Sequence, residues 1–311
     1  QLASRSAAAW LALAAMALFV ALVAEATNAR RAAAMGWFFG LGHFTFGNNW
    51  IATAFTHQAE MPAALGWAAV PLLSLYLAVY PALAAMGARA IARPGLSWTL
   101  AWAFACCWTL SELMRATVFT GYAWNPFAMV LLGPFDRPGL AALSPWMGTY
   151  ALSGIAVFVS AALAVLLREG RRLVALLVGI LLVVGMYLPA PAEIEGDVQF
   201  TLVQPDLRQH RISDPLYYEA NYLRLAQFTP ARQAGQQRLV LWPESGLADY
   251  LESGYPQRYY DRMTAYGDPA LARARIGRLT GPGSLLLTGA VELEIGGGRA
   301  VGAYNSVSAL D

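Results

Sequence analysis

Long apolar stretches separated by short polar ones fill the first 195 residues. Six runs, 6–24, 32–59, 61–88, 94–111, 138–167 and 173–192, contain no Asp, Glu, Lys or Arg. A helix needs about 20 mostly apolar residues to cross the hydrocarbon core of a bilayer, and each run is near or above that length. One such run fits a buried helix of a soluble protein; six in succession predict six membrane helices. After residue 195 the pattern changes. "DVQFTLVQ" puts Val198, Phe200 and Leu202 on one face at period two, as in a strand. "SDPLYYEANYLRLAQF" reads as a helix, with Ser213 or Asp214 as N-cap and Pro215 in the first turn. The strand "RLVLW", a helical region broken near 267–269 and the strand "SLLLTGAVELE" follow. The turn "IGGGR" then leads into "AVGAYNSVSAL" as a hairpin partner. Strands alternating with helices predict a layered α/β domain. The expected organisation is a transmembrane domain over 1–195 and an extramembrane α/β domain over 196–311.

Composition supports that division. The chain is 58% hydrophobic and only 13% charged, where soluble domains carry roughly 25% charged residues. The first run is expected to be a spanning helix and not a cleavable signal, because it is long enough to span and the pair Arg30 and Arg31 follows it. Short loops rich in Arg or Lys stay in the cytoplasm. Arg30 and Arg31 follow the first run, Arg89 and Arg93 the third, and Arg168, Arg171 and Arg172 the fifth. The alternate loops hold only Arg137. The basic loops therefore share one side, and an even number of crossings returns residues 196–311 to the outside. In a bacterium that is the periplasmic face of the inner membrane.

Little else in the composition suggests chemistry. Cys106 and Cys107 are adjacent, at membrane depth and directed apart, which excludes a disulfide framework and predicts packing. His43, His57 and His210 have no ligand spacing, so neither a metal site nor a cofactor is expected. "GPGSLLLTG" lacks the spacing and the Lys of a phosphate loop, and no nucleic-acid partner is expected. Within the membrane part, Gly36-x-x-x-Gly40 allows a close helix approach. Glu112 and Arg115 stand three apart on one helix face, either as a structural ion pair or as part of a site. "TGYAWNPFAMVLLGPFDRPG" reads as an interfacial or re-entrant loop on the outer face.

One carboxylate stands out in the second part. "RLVLWPESGL" is an apolar strand that stops at Trp242-Pro243 and delivers Glu244. Proline cannot continue a central ladder, so the chain leaves the sheet there. Sheltered by Trp242, Glu244 would suit a general base; the competing reading is an acid capping the next helix. On a strand, Tyr304 and Asn305 face opposite ways. If Tyr304 packs between layers, Asn305 faces the strand-end cleft; alternatively it stabilises a strand edge.

At this point the residues resemble the apolipoprotein N-acyltransferase family. "LVQPDLRQ", "LVLWPESGL", "LLLTGAVELE" and "YNSVSAL" occur in the order of its nitrilase-type domain. "GWFFGLGHFTFGNNW", "SELMRATVFTGYAWNPF" and "LSPWMGTYALS" are similar to its membrane part, so the likeness covers nearly the whole chain. The resemblance implies an αββα nitrilase-like sandwich joined to a multi-pass α-helical membrane bundle. It implies transfer of an acyl chain from a phospholipid, through a cysteine thioester, to the N-terminal amine of a diacylglyceryl-cysteine apolipoprotein. In that scheme Glu244 is the base, a lysine stabilises the oxyanion, a cysteine is the nucleophile, and Asn305 donates to the oxyanion or holds Glu244. The chain contains no lysine, and its cysteines lie outside the α/β part. The missing pair is expected beyond Asp311, and the start after the family's first helix, which makes the chain an internal fragment, inactive alone. Two other readings stand beside this one. A membrane nitrilase-like amidase or glycolipid-modifying relative keeps the fold; a multi-pass transporter or receptor has no covalent chemistry, though the chain lacks the internal repeat many transporters carry.

Overall fold

The computed structural model describes residues 2–57, 62, 64–119, 121–134, 137–189, 195–212, 214–230, 237–244 and 247–311. The chain divides into two compact units, Gln1–Glu193 and Ile194–Asp311.

In the first unit the helices are, in chain order, α1 (Leu2–Ala24), α2 (Ala29–Gly47), α3 (Trp50–Ala54), α4 (Ala64–Leu77), α5 (Val79–Ile91), α6 (Trp98–Thr117), α7 (Ser144–Met147), α8 (Thr149–Arg168) and α9 (Arg172–Met186). The segment Ala64–Ile91 and α8 are long and apolar enough to cross a membrane, with mean hydropathies of 1.8 and 2.3. Ala8–Ala24 and α9 are apolar but shorter. The polar content of α2 and α6 is higher: α2 opens on Arg30 and Arg31, and α6 carries Glu112 and Arg115 near its end. The core joins Met16, Phe19 and Val23 of α1 to Ala84 and Ala88 of α5, Phe104 and Trp108 of α6, and Val157 of α8. The opposite surface is also apolar. Leu11, Leu18, Phe38, Phe46, Leu173, Leu177 and Leu181 are exposed, a distribution that water penalises and lipid tails do not.

The glycine spacing does what its pattern predicts. A Cβ on Gly36 would sit 2.4 Å from the Pro81 carbonyl oxygen, and one on Gly40 would sit 2.9 Å from Ala78 Cα. Only glycine lets α2 lie so close to α5. The three basic loops also meet at one end of this unit. Arg89 Nε donates to the Ala26 carbonyl at 2.8 Å, Arg168 Nη1 to that of Leu96 at 2.6 Å, and Trp98 Nε1 to Glu169 at 3.0 Å.

The second unit is a four-stranded sheet with helices. Its strands are β1 (Gln199–Leu202), β2 (Arg238–Leu241), β3 (Ser284–Gly296) and β4 (Arg299–Leu310); its helices are α10 (Gln209–Ile212), α11 (Tyr218–Phe228), α12 (Gln257–Met263) and α13 (Pro269–Thr280). The sheet order is β1-β2-β3-β4. The first three strands are parallel and β4 returns antiparallel to β3, with Gly297 and Gly298 at positive φ in the turn. Asp214 accepts from the Leu216 N–H and caps a short 3-10 turn before α11; Ser213, the other cap candidate, lies outside the described residues. Asp268 caps α13 in the same way, with Pro269 in its first turn.

The core of this unit gathers Val203, Tyr222, Leu225, Val240, Trp242, Ala272, Ile276 and Leu286. The period-two face of β1 is not part of it: Val198, Phe200 and Leu202 are all exposed. Alternation identified the strand and its two faces. The covered face is set by Val240 and Leu286, on which α11 and α13 supply the packing.

Candidate active site

Glu244 is placed by the way β2 ends. The Trp242 N–H makes a last ladder bond to the Leu287 carbonyl at 2.9 Å, and Pro243 has no N–H with which to continue. Trp242 is buried, donates from Nε1 to Thr229 Oγ1 at 3.0 Å and meets Tyr222 edge-on. It therefore anchors the strand end and does not shelter Glu244, which is exposed. The turn after β2 lies directly on β3. A Cβ at Gly289 would fall 2.3 Å from the Glu244 carbonyl oxygen and 2.5 Å from its Cα. Gly289 is thus a gap in the sheet surface that admits the backbone of Glu244.

Asn305 comes to the same place from β4, where it pairs with Val291. Its Nδ2 donates to Glu244 Oε1, across 61 positions of sequence. Tyr304 takes the opposite face but is exposed, and its hydroxyl donates to Glu294 at 2.8 Å. The structure thus brings Glu244 and Asn305 together with no interlayer packing by Tyr304.

Two cavities open on this pair. One, of about 420 Å³, is lined by Leu241, Leu287, Gly289 and Val307. The other, of about 410 Å³, lies against α11 and is lined by Tyr218, Asn221, Leu247, Tyr250 and Met263. Glu244 and Asn305 border both.

The segment after Glu244 is fixed by groups that local sequence pattern does not single out. Asp249 is buried and accepts from the Ala265 N–H at 2.7 Å. Burial pushes its carboxyl above the usual aspartate range, partly offset by that N–H and by the Arg275 charge. Arg275 stands 3.9 Å from Asp249, 2.6 Å from Glu219 and 3.4 Å above the Tyr222 ring. Thr264 Oγ1 accepts from the Tyr250 N–H at 3.1 Å, and Tyr260 donates to the Glu252 carbonyl at 2.7 Å. The only local signal for Asp249 is an acid enclosed by apolar neighbours in "GLADYL".

In the first unit, Glu112 and Arg115 share a helix face but spend their hydrogen bonds elsewhere. Glu112 Oε1 accepts from Trp108 Nε1 at 2.9 Å and from the Phe127 N–H at 2.7 Å. Arg115 Nη1 donates to the carbonyls of Tyr122, at 2.8 Å, and Trp124. Together they hold the loop that follows α6. Asn48 joins the same loop by accepting from Tyr122 Oη and Asn125 Nδ2. The exposed Cys106 and half-buried Cys107 stay in α6, and no metal-binding cluster occurs among the described residues.

Comparison with known proteins adds to this geometry. Residues 3–162 match the model of the apolipoprotein N-acyltransferase N-terminal domain. An apolipoprotein N-acyltransferase of Brucella melitensis is 33% identical over 296 residues, covering 90% of this chain and 51% of that protein. The protein of the same name from Rhodopseudomonas palustris is 32% identical over 299 residues, covering 90% and 52%. One from Chromobacterium violaceum is 31% identical over 242 residues, covering 73% and 44%. The chain spans about half the length of the curated relatives it matches.

Proposed function

The chain belongs to the apolipoprotein N-acyltransferase family, and we propose that the whole protein moves an acyl chain from a phospholipid to the N-terminal amine of a diacylglyceryl-cysteine lipoprotein. Glu244 acts as the general base. It takes the proton of an enzyme thiol, and the thiolate attacks the phospholipid ester carbonyl. The C–O bond breaks, the proton passes to the leaving alcohol, and a thioester remains. The acceptor amine then attacks the thioester: a C–N bond forms, the C–S bond breaks, and Glu244 carries the amine proton to the departing sulfur. In this proposal the thiol, and the lysine that stabilises the oxyanion, come from parts of the protein outside these residues. Asn305 holds Glu244 through the bond to Oε1.

The observation that carries the reading is a carboxylate delivered at a strand end, held by an amide from a second strand and bordered by two cavities. We also propose that all six apolar runs cross the inner membrane, with the second unit in the periplasm. The exposed apolar face of the sheet, including Phe200, Leu202 and Val307, suits cover by a second layer, as in an αββα sandwich.

The test is Glu244→Gln in the full-length enzyme. Loss of general-base action lowers the rate by about 10²–10⁴-fold, so thioester formation from labelled phospholipid should fall by that amount in a protein that still folds and inserts. An undiminished thioester yield assigns the base elsewhere.

A further inference from the structure

Three loops far apart in sequence are bonded into one basic end of the first unit. The Gly95 N–H donates to the Ala24 carbonyl at 2.9 Å and Arg89 Nε to that of Ala26 at 2.8 Å, which joins the loop after α1 to the loop after α5. Arg168 Nη1 donates to the Leu96 carbonyl at 2.6 Å and Trp98 Nε1 to Glu169 at 3.0 Å, which adds the loop after α8. Residues 25–31, 89–98 and 168–172 hold seven arginines against two acids, Glu25 and Glu169. Arg89 and Arg168 are spent on carbonyls, and Arg171 faces Glu169 at 3.5 Å. Arg30, Arg31, Arg93 and Arg172 remain. All four are exposed, and their guanidiniums make no hydrogen bond or ion pair among the described residues.

Their positions gain nothing from the helices that carry them. Arg30 and Arg31 stand in the first turn of α2 and Arg172 in that of α9, with no acid in either turn. The helix dipole disfavours cations there, so an anion from outside the chain would relieve the charge. Exposed apolar side chains adjoin the arginines: Ile91 before Arg93, and Leu173, Leu176 and Leu177 after Arg172. A soluble anion makes no use of that flank, whereas a phospholipid lays its chains along it and brings a phosphate that matches the guanidinium fork. We infer that the basic end of the first unit binds anionic phospholipid headgroups, with Arg30, Arg31, Arg93 and Arg172 as the phosphate contacts. The inference rests on the reading that the apolar runs cross the membrane, and it is independent of the acyl-transfer chemistry.

The test measures retention of radiolabelled phosphatidylglycerol or phosphatidylcholine by the immobilised full-length enzyme in non-ionic detergent. Both lipids carry ether-linked chains, so neither can donate an acyl group. An arginine near an anionic headgroup is worth about fivefold in affinity, so the unaltered enzyme should prefer phosphatidylglycerol by at least that factor. Arg93→Gln with Arg172→Gln should lower phosphatidylglycerol retention several-fold and leave phosphatidylcholine unchanged. The matching pair of lysine substitutions, which keeps the charge, should retain most of the binding. Arg208→Gln with Arg262→Gln, an equal loss of charge in the second unit, should have no effect. Inorganic phosphate should displace the lipid no better than chloride at the same ionic strength. Equal retention of the two lipids overturns the inference, as does an equal loss in the two glutamine pairs. Displacement specific to inorganic phosphate overturns the choice of a lipid as the occupant. Release of the unaltered protein from membranes by alkaline carbonate overturns the membrane reading instead, and the lipid comparison still decides whether these arginines bind an anionic headgroup.

Discussion

Without the Asn305 amide, Glu244 Oε1 loses the donor that fixes its carboxylate, and little else in the unit changes, because Asn305 is exposed. Asn305→Ala should therefore lower thioester formation by about 10²-fold, the order expected from misplacing a reacting group by an ångström. Its melting temperature should stay within a few degrees of the parent. A large stability loss with normal turnover would make Asn305 a strand-edge residue only. Gly289→Ala tests the same placement from below. The added methyl group would overlap the Glu244 backbone, and overpacking of this kind costs about 1–3 kcal/mol. Activity should fall with only that modest loss of stability, and an enzyme of normal rate would show that the turn after β2 can shift without consequence. These residues were unequally legible. Glu244 is visible in sequence because a proline ends an apolar run just before it, and Asn305 because strands alternate. Gly289 has a weaker signal: glycine inside a strand marks a close backbone approach, but the approaching residue lies 45 positions upstream in sequence.

At the scale of elements, the segment between β2 and α12 depends on one buried acid. Asp249 bonds the Ala265 N–H and faces Arg275, with Glu219 and Tyr222 close by. In the unfolded chain it ionises near 3.8, and in the folded protein burial raises that value. Folding therefore favours the protonated form. The resulting stabilisation is complete below the unfolded value and is lost as pH rises through the folded one. Asp249→Asn removes this dependence while keeping an oxygen for the Ala265 N–H. The melting temperature of the variant, relative to the parent, should be higher at neutral pH than near pH 4; an offset independent of pH would show that Asp249 ionises as it does in the unfolded chain. Local pattern hid this residue because its burial is a tertiary event, created when α13 brings Arg275 and a second 3-10 turn, Ala265–Gly267, brings Ala265. The same limit explains Glu112 and Arg115. Their spacing placed them on one face, but their partners are backbone groups of the loop after α6, which helix periodicity does not describe.

At the scale of the whole molecule, charge placement makes a claim about sidedness. The loops bearing Arg30 and Arg31, Arg89 and Arg93, and Arg168 to Arg172 were assigned to one side from sequence alone, and hydrogen bonds from Arg89, Arg168 and Trp98 tie them together at one end of the first unit. That clustering is independent of any membrane. If the six apolar runs all cross, the basic end is cytoplasmic and Ser253, in the second unit, faces the periplasm. A cysteine placed at Ser253 should then react in intact spheroplasts with a membrane-impermeant thiol reagent, above the background of the protein without the added cysteine. One placed at Arg93, which is exposed at the basic end, should react only after the membrane is opened. Labelling of both positions in intact cells would mean that an even number of the runs, and not all three, cross between them. Labelling at Arg93 alone would invert the orientation, and with it the compartment from which Glu244 meets its substrates.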